Sequence, residues 1–389
     1  MPELLVQQYL RSGKTLDALK FEHGINYRIL NDKISLTYDM IESKESDAVA
    51  CECRGLVLRE STYDIVHFPF KRFFNLGQNE AATIDWDSAE FISKLDGTLC
   101  IVGWDDVQSK WCVATRSMPE AGGNVNSIDM TFAELFDHAV AQIYEPIIGE
   151  SKSLNIQGLM NGGNKYYTYM FELVSPFNRI VCKYDNPKLY LLGVRNITTH
   201  QELNPKDFSF LNFNIKQPQT YSFNNLDDMF SIIKDWNPLE HEGLVVRDKY
   251  FNRIKVKTPA YLAAAHIRDS VVASTRSCVE VILLGKEDDV MTLIPPQIGE
   301  RIMKLKAAIR QIIIDTQAEY DRLKDIENIK EFALEAQKYH YSAPLFAIRR
   351  NKAVDVRSFI DGHLKENKFA DSFLDHLYDM AKKIDSSII

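Results

Sequence analysis

Ser93-Lys94-Leu95-Asp96-Gly97-Thr98 closes the apolar run Phe91-Ile92 with a lysine, an acid and a glycine at which the chain can turn. An ammonium has no lone pair. A lysine in this position becomes a nucleophile only where burial or neighbouring cations make it surrender its proton. Gly97 is expected to let the backbone turn close to whatever Lys94 attacks. The stretch therefore predicts a strand that delivers a reactive amine into a turn.

On both sides of it, up to about Pro259, lie short segments rich in Val, Leu, Ile, Tyr or Phe and bounded by Gly, Asn, Asp or Pro. Strands are expected at Arg54–Arg59, Phe91–Lys94, Thr168–Val174, Leu189–Arg195, Gly243–Arg247 and Arg253–Lys257. Apolar residues at helical spacing place helices at Thr131–Tyr144 and near Asn225–Lys234. Beyond Pro259 the texture changes. Ile302, Leu305, Ile309, Ile312, Ile313, Thr316, Tyr320 and Leu323 follow a spacing of three and four through a charged segment, as an amphipathic helix requires. Ile329–Tyr339, Ala353–Ile360 and Phe369–Ile384 read the same way. The expected organisation is an α+β domain over residues 1–259, followed by an all-helical domain over 260–389.

The chain has 389 residues, 45% of them hydrophobic and 26% charged, which suits two soluble domains. No apolar run approaches the roughly 18 residues of a membrane span, and no basic stretch precedes an apolar one at the N-terminus. The expected location is the cytoplasm, that of the host if the chain is phage-encoded, with no membrane partner. The six cysteines form no C-x-x-C pair, so reduced, mostly buried thiols are expected. A net charge of −8 argues against a protein that coats nucleic acid, but a basic groove can sit on an acidic body.

Lys94 has ordered company. Glu52-Cys53-Arg54-Gly55 and Phe70-Lys71-Arg72-Phe73-Phe74-Asn75 precede it. Phe171-Glu172-Leu173-Val174, Glu242-Gly243-Leu244-Val245-Val246 and Lys255-Val256-Lys257 follow. Period-2 alternation puts Lys255 and Lys257 on one strand face and Ile254 and Val256 on the other, so two cations can converge on one phosphate. Any one of these pieces can be an ordinary strand or turn; the set in this order is specific. It resembles the covalent nucleotidyl transferase superfamily of ligases and capping enzymes. Within that superfamily it is similar to the ATP-dependent, tRNA-repairing, phage-type RNA ligase 1 family. Pro176–Val181, Tyr190–Arg195, Tyr261, Gly285–Asp289 and Phe332–Gln337 extend the likeness over most of the chain.

The resemblance implies an α+β nucleotidyl transferase domain with antiparallel sheets, and it implies roles. Lys94 is the nucleophile that becomes lysyl-AMP. Tyr38, Arg54, Arg72, Glu172, Lys255 and Lys257 join it in binding ATP, Glu172 through the ribose or a metal. Glu242 helps hold a divalent ion, Mg2+ or Mn2+, with Glu172. Arg72 stands where the family has lysine, with Lys71 one position earlier, and Arg116 replaces a family lysine. Lys71, Arg116 and Tyr261 are further candidates for phosphate contact. Asp288, beside Asp289, resembles a metal position outside the active site. His241 is expected to be structural.

The implied activity joins RNA with 5′-phosphate and 3′-hydroxyl ends through lysyl-AMP and RNA-adenylate. The implied substrate is nicked tRNA, with a polynucleotide kinase/phosphatase acting beforehand. The helical domain, with Arg349, Arg350 and Lys352, would select the RNA. A DNA ligase or a capping guanylyltransferase would normally append a β-barrel instead of helices. A non-catalytic RNA-end binder that kept the fold is the alternative from another class, though it would have no need of Lys94.

Overall fold

The computed structural model describes the chain except for residues 1, 40–41, 126–127, 149–154, 209–214, 284, 286–289, 291–293, 295, 366–371 and 387–389. Asp288 and Asp289 lie outside the described residues. The chain divides into two compact units, Met1–Leu262 and Ala263–Ile389.

The first unit is built on three sheets in which every neighbouring pair of strands is antiparallel. Sheet one runs β1 (Ile25–Leu30), β2 (Lys33–Tyr38), β3 (Arg54–Arg59) and β4 (Ile65–His67) in that order. The elements before β3 are short and carry no long apolar pattern. The helices Leu5–Arg11 and Leu16–His23 and the β1–β2 hairpin therefore emerge only in the structure. They cohere by burying Leu4, Val6, Leu10, Leu19, Ile25 and Ile34 together.

Two sheets enclose the Lys94 region. Sheet three has the order β11 (Thr220–Tyr221), β5 (Glu90–Lys94), β12 (Gly243–Arg247), β13 (Arg253–Lys257). Sheet two has the order β10 (Glu202–Leu203), β9 (Lys188–Asn196), β8 (Tyr167–Val174), β6 (Thr98–Asp105), β7 (Lys110–Thr115). One face of sheet two packs Cys100, Val102, Tyr169, Phe171 and Leu191 against Leu135, Phe136, Ala139 and Val140, one stripe of the helix Phe132–Ile148. One face of sheet three packs Leu244, Val246, Ile254 and Val256 against Met229 and Ile233 of the helix Leu226–Ile233. The pleat turns the alternate residues, Lys255 and Lys257 among them, to the other face.

Lys94 is the last residue of β5, and Thr98 opens β6 three residues beyond Leu95. The motif is thus the crossing from one sheet to the next. Gly97 is required there for a reason the sequence reading did not give. A Cβ at this position would collide with the Leu173 carbonyl oxygen of β8, so the glycine makes room for protein backbone rather than for a ligand. Gly243, at φ +148°, has a backbone that side chains seldom adopt, and a Cβ there would strike the Val256 carbonyl oxygen. The Glu242-Gly243 pair is thereby locked against β13.

The described strands all lie in the first unit; the second has helices at Thr275–Leu283, Pro296–Leu323, Ile329–Ala336, Ala343–Arg349, Val356–Lys365 and Ser372–Ser386, and the helix Pro259–Ala273 runs into it. Ile302, Leu305, Ile309, Thr316 and Leu323 are buried, as the helical spacing requires. Arg349 is spent inside the unit. Its guanidinium donates to the carbonyls of Lys324 (2.9 Å) and Ile326 (2.6 Å), acceptors left without helical partners, while Arg350 and Lys352 are exposed. Among the described residues no helix is long and apolar enough to cross a membrane.

Candidate active site

The register aligns the central residues before any side chain is considered. Lys94 of β5 pairs with Gly243 of β12, which pairs with Lys257 of β13. Glu242, one residue before that row, is 3% exposed and holds both lysines. Its Oε2 accepts from Lys94 Nζ at 2.6 Å, and Oε1 pairs with Lys257 Nζ at 2.9 Å. Both lysines keep an exposed portion and face a cavity of about 250 Å3 between sheets two and three.

The turn after Lys94 is clamped by Asp96, which is 2% exposed. Its Oδ2 accepts from the backbone N–H groups of Val181 (2.7 Å) and Cys182 (2.8 Å), and its Oδ1 accepts from the Tyr261 hydroxyl (2.8 Å). Its own N–H donates to the Tyr184 hydroxyl oxygen at 3.2 Å. Tyr261, expected at phosphate, has its hydroxyl committed to Asp96 and only 3% of its surface exposed. The acid of the motif is therefore a positioning group, fixing where Lys94 ends. The sequence displayed Asp96 without this role, and nothing in it singled out Tyr184.

Tyr38, Arg54, Arg116, Glu172, Lys255 and Lys257 line the cavity together with Lys94. These seven residues come from five strands and one turn spread over all three sheets. Arg54 lies over the Phe73 ring at 5.2 Å, and one of its terminal nitrogens is buried with no partner. A buried guanidinium nitrogen without an acceptor is expensive, which fits a site awaiting an anion. Tyr38 carries two guanidiniums over its ring, Arg72 at 4.3 Å and Arg116 at 4.4 Å from the centroid. Arg72 and Lys71 line an adjoining cleft instead, with Lys71 paired to Glu52 at 3.2 Å. His241 packs its ring against Trp236, 4.6 Å between centroids.

Two groups carry charge reluctantly. Burial, and then the cations Arg54, Lys94, Lys257 and Arg116, lower the Lys255 pKa to about 7. Burial raises the Glu172 pKa to about 7; Lys94 works against that rise and Glu242 adds to it. Among the described residues no cluster of three His, Cys, Asp or Glu side chains could hold a metal by itself. Carboxylates suit Mg2+ or Mn2+, but both Glu242 oxygens are taken by Lys94 and Lys257, so an ion on Glu172 and Glu242 would displace those contacts and take its other ligands from phosphate and water.

Comparison with known proteins gives these side chains a context. A family model described as RNA ligase matches residues 52–261, more than half of the chain. The RNA ligase of Rhodothermus phage RM378 is 24% identical over 368 residues, spanning 76% of this chain and 80% of that protein. A protein of Autographa californica nuclear polyhedrosis virus, which bears the name of a bifunctional polynucleotide kinase/RNA ligase, is 30% identical over 292 residues. That match spans 71% of this chain but 39% of the viral protein. Among solved structures, the Naegleria gruberi RNA ligase with PPi is 18% identical, with a TM-score of 0.35, covering 46% of this chain and 52% of that one. The matched region runs from Glu52 through the Lys94 turn, Glu172, Glu242 and the Lys255–Lys257 strand to Tyr261, and on that match the chain belongs to the RNA ligase family.

Proposed function

We propose that this ligase works by three nucleotidyl transfers in the cavity at Lys94. In the first, the Lys94 amine bonds to the α-phosphorus of ATP as the bond to pyrophosphate breaks. In the second, the AMP passes to the 5′-phosphate oxygen of an RNA and the Lys94–phosphorus bond breaks. In the third, an RNA 3′-hydroxyl attacks that phosphate and AMP leaves. The observation that carries this reading is the Lys94–Glu242–Lys257 array at the mouth of a cavity lined by further cations.

Each step is a displacement at phosphorus, so orientation and charge supply the catalysis. Glu242 holds Nζ at the end of β5 and is the acceptor nearest its proton. Lys255 and Lys257 face the cavity from the same side of β13, suited to the α-phosphate through all three steps. Arg54 and Arg116, beside the Phe73 and Tyr38 rings, suit the departing phosphates. Glu172 and Glu242 would hold a divalent ion, which when bound neutralises charge on the phosphoryl oxygens.

The test is incubation with ATP labelled at the α-phosphate, then denaturing electrophoresis. Covalent label on the unaltered protein and none on Lys94→Ala is the expected result. Lys94→Arg should fail equally, because guanidinium keeps its proton. Label retained on Lys94→Ala would refute the assignment. Repair of nicked tRNA, with a polynucleotide kinase/phosphatase preparing the ends, is the biological role we infer for the activity. The helical unit is its proposed specificity element.

A further inference from the structure

A second cleft, of about 540 Å3, adjoins the Lys94 cavity, with Phe73 and Arg253 lining both. Its cationic side is built rather than incidental. Arg195 (8% exposed) and Arg253 share one carboxylate, Glu202. Arg195 reaches Oε2 at 3.1 Å, and Arg253 donates to Oε2 at 2.9 Å and also to Oε1. Two guanidiniums on one carboxylate leave a net positive charge. Arg195 Nε and one terminal nitrogen of Arg72 are buried without a partner, the Arg72 side chain being 5% exposed. Lys71 adds a partly exposed ammonium, paired with Glu52 at 3.2 Å, and Glu80 lines the same cleft.

The cleft also carries an aromatic residue on a turn of fixed backbone. The turn joining β12 to β13 is organised by Asp248, which is 3% exposed. Its Oδ1 accepts the N–H groups of Tyr250 and Asn252, both at 2.9 Å, and its Oδ2 accepts from Asn252 Nδ2 at 2.9 Å. Phe251 is held at φ +63°. This turn presents the Tyr250 ring 67% exposed at the cleft. An exposed ring on a fixed turn, lining the same cleft as buried guanidiniums and with the Lys249 ammonium 5.0 Å from its centroid, offers single-stranded nucleic acid a platform for a base and cations for its phosphate.

We propose that this cleft holds one nucleotide of the RNA substrate next to its reacting end. The base stacks on Tyr250 and the phosphate lies against Arg72, Arg195 and Lys71. The proposal rests on the ligase reading above and extends it by placing RNA beyond the ATP cavity. Stacking accepts any base, so the site contributes affinity without sequence preference. The strand it holds carries either the 5′-phosphate or the 3′-hydroxyl, and the experiment separates the two.

The experiment measures fluorescence anisotropy of a labelled single-stranded oligoribonucleotide on the full-length protein, with labelling by ATP run in parallel. Tyr250→Ala should weaken RNA binding about tenfold, the worth of one base stacked on an aromatic ring, and Tyr250→Trp should restore it. Abasic substitution near one end of the RNA should abolish the difference between native protein and Tyr250→Ala, and the end at which it does so identifies the strand. Unchanged affinity in Tyr250→Ala, or a difference that survives abasic substitution at both ends, would overturn the proposal. Failure of the native protein to take label from ATP would instead overturn the nucleotidyl-transfer reading on which the proposal rests.

Discussion

Lys255 offers a quantitative test of how the cavity treats charge. With its pKa lowered to about 7, the free protein at pH 8 carries a proton on Lys255 in only about one molecule in ten. Burial first, and then the neighbouring cations, expelled the proton; a triphosphate entering among Arg54, Arg116 and Lys255 offsets both and rewards the charged form. Binding at pH 8 should therefore draw in about 0.9 proton at this residue, and at pH 6 only about 0.1. Protonating the lysine first costs binding energy. Affinity should then fall by as much as tenfold per pH unit above 7, since one pH unit is worth about 1.36 kcal/mol. The assay is calorimetric titration with an ATP analogue carrying an α,β-methylene bridge, which binds without transferring AMP. Repeating it in buffers of different ionisation enthalpy yields the protons taken up. Glu172 also titrates near 7, so the decisive quantity is the difference between native protein and Lys255→Met. Uptake at pH 8 that is equal in the two proteins would refute the account of Lys255.

Three further outcomes are expected. Glu242→Ala should leave the fold intact, because Lys94 and Lys257 are partly exposed and can rehydrate, yet slow divalent-dependent adenylylation and sealing; near-normal rates of both steps would remove its proposed role. Asp96→Ala strands two backbone N–H groups and the Tyr261 hydroxyl, and at roughly 1–3 kcal/mol for each unsatisfied group the loss should be on the order of 3–9 kcal/mol in chemical denaturation. Asp96→Asn, which can still accept, should lose less, and equal losses would show that the three hydrogen bonds do not stabilise the turn. A chain ending after Leu262 should still form lysyl-AMP and join generic single-stranded RNA while losing preference for a nicked stem-loop; full retention of that preference would refute the specificity role of the helical unit.

Periodicity and local order determined a good deal. Strands β3, β12 and β13 begin and end where the apolar runs begin and end, and the stripe Leu135, Phe136, Ala139, Val140 is buried as helical spacing requires. Alternation alone placed Lys255 and Lys257 on the face opposite Ile254 and Val256, because a strand's pleat obeys neighbouring residues and nothing else. What the sequence could not hold were relations between residues far apart in the chain. Lys94 meets Glu242 across 148 positions because β5 pairs with β12, and Tyr261 meets Asp96 across 165. The same long-range closure moved Gly97 from a ligand-facing turn to a point of contact with β8, and tied Arg349 to carbonyls left over at a helix end. Residue types announce what chemistry is available. Which atoms are left unsatisfied, and so free to do it, depends on partners that only the packed sheets bring within hydrogen-bond reach.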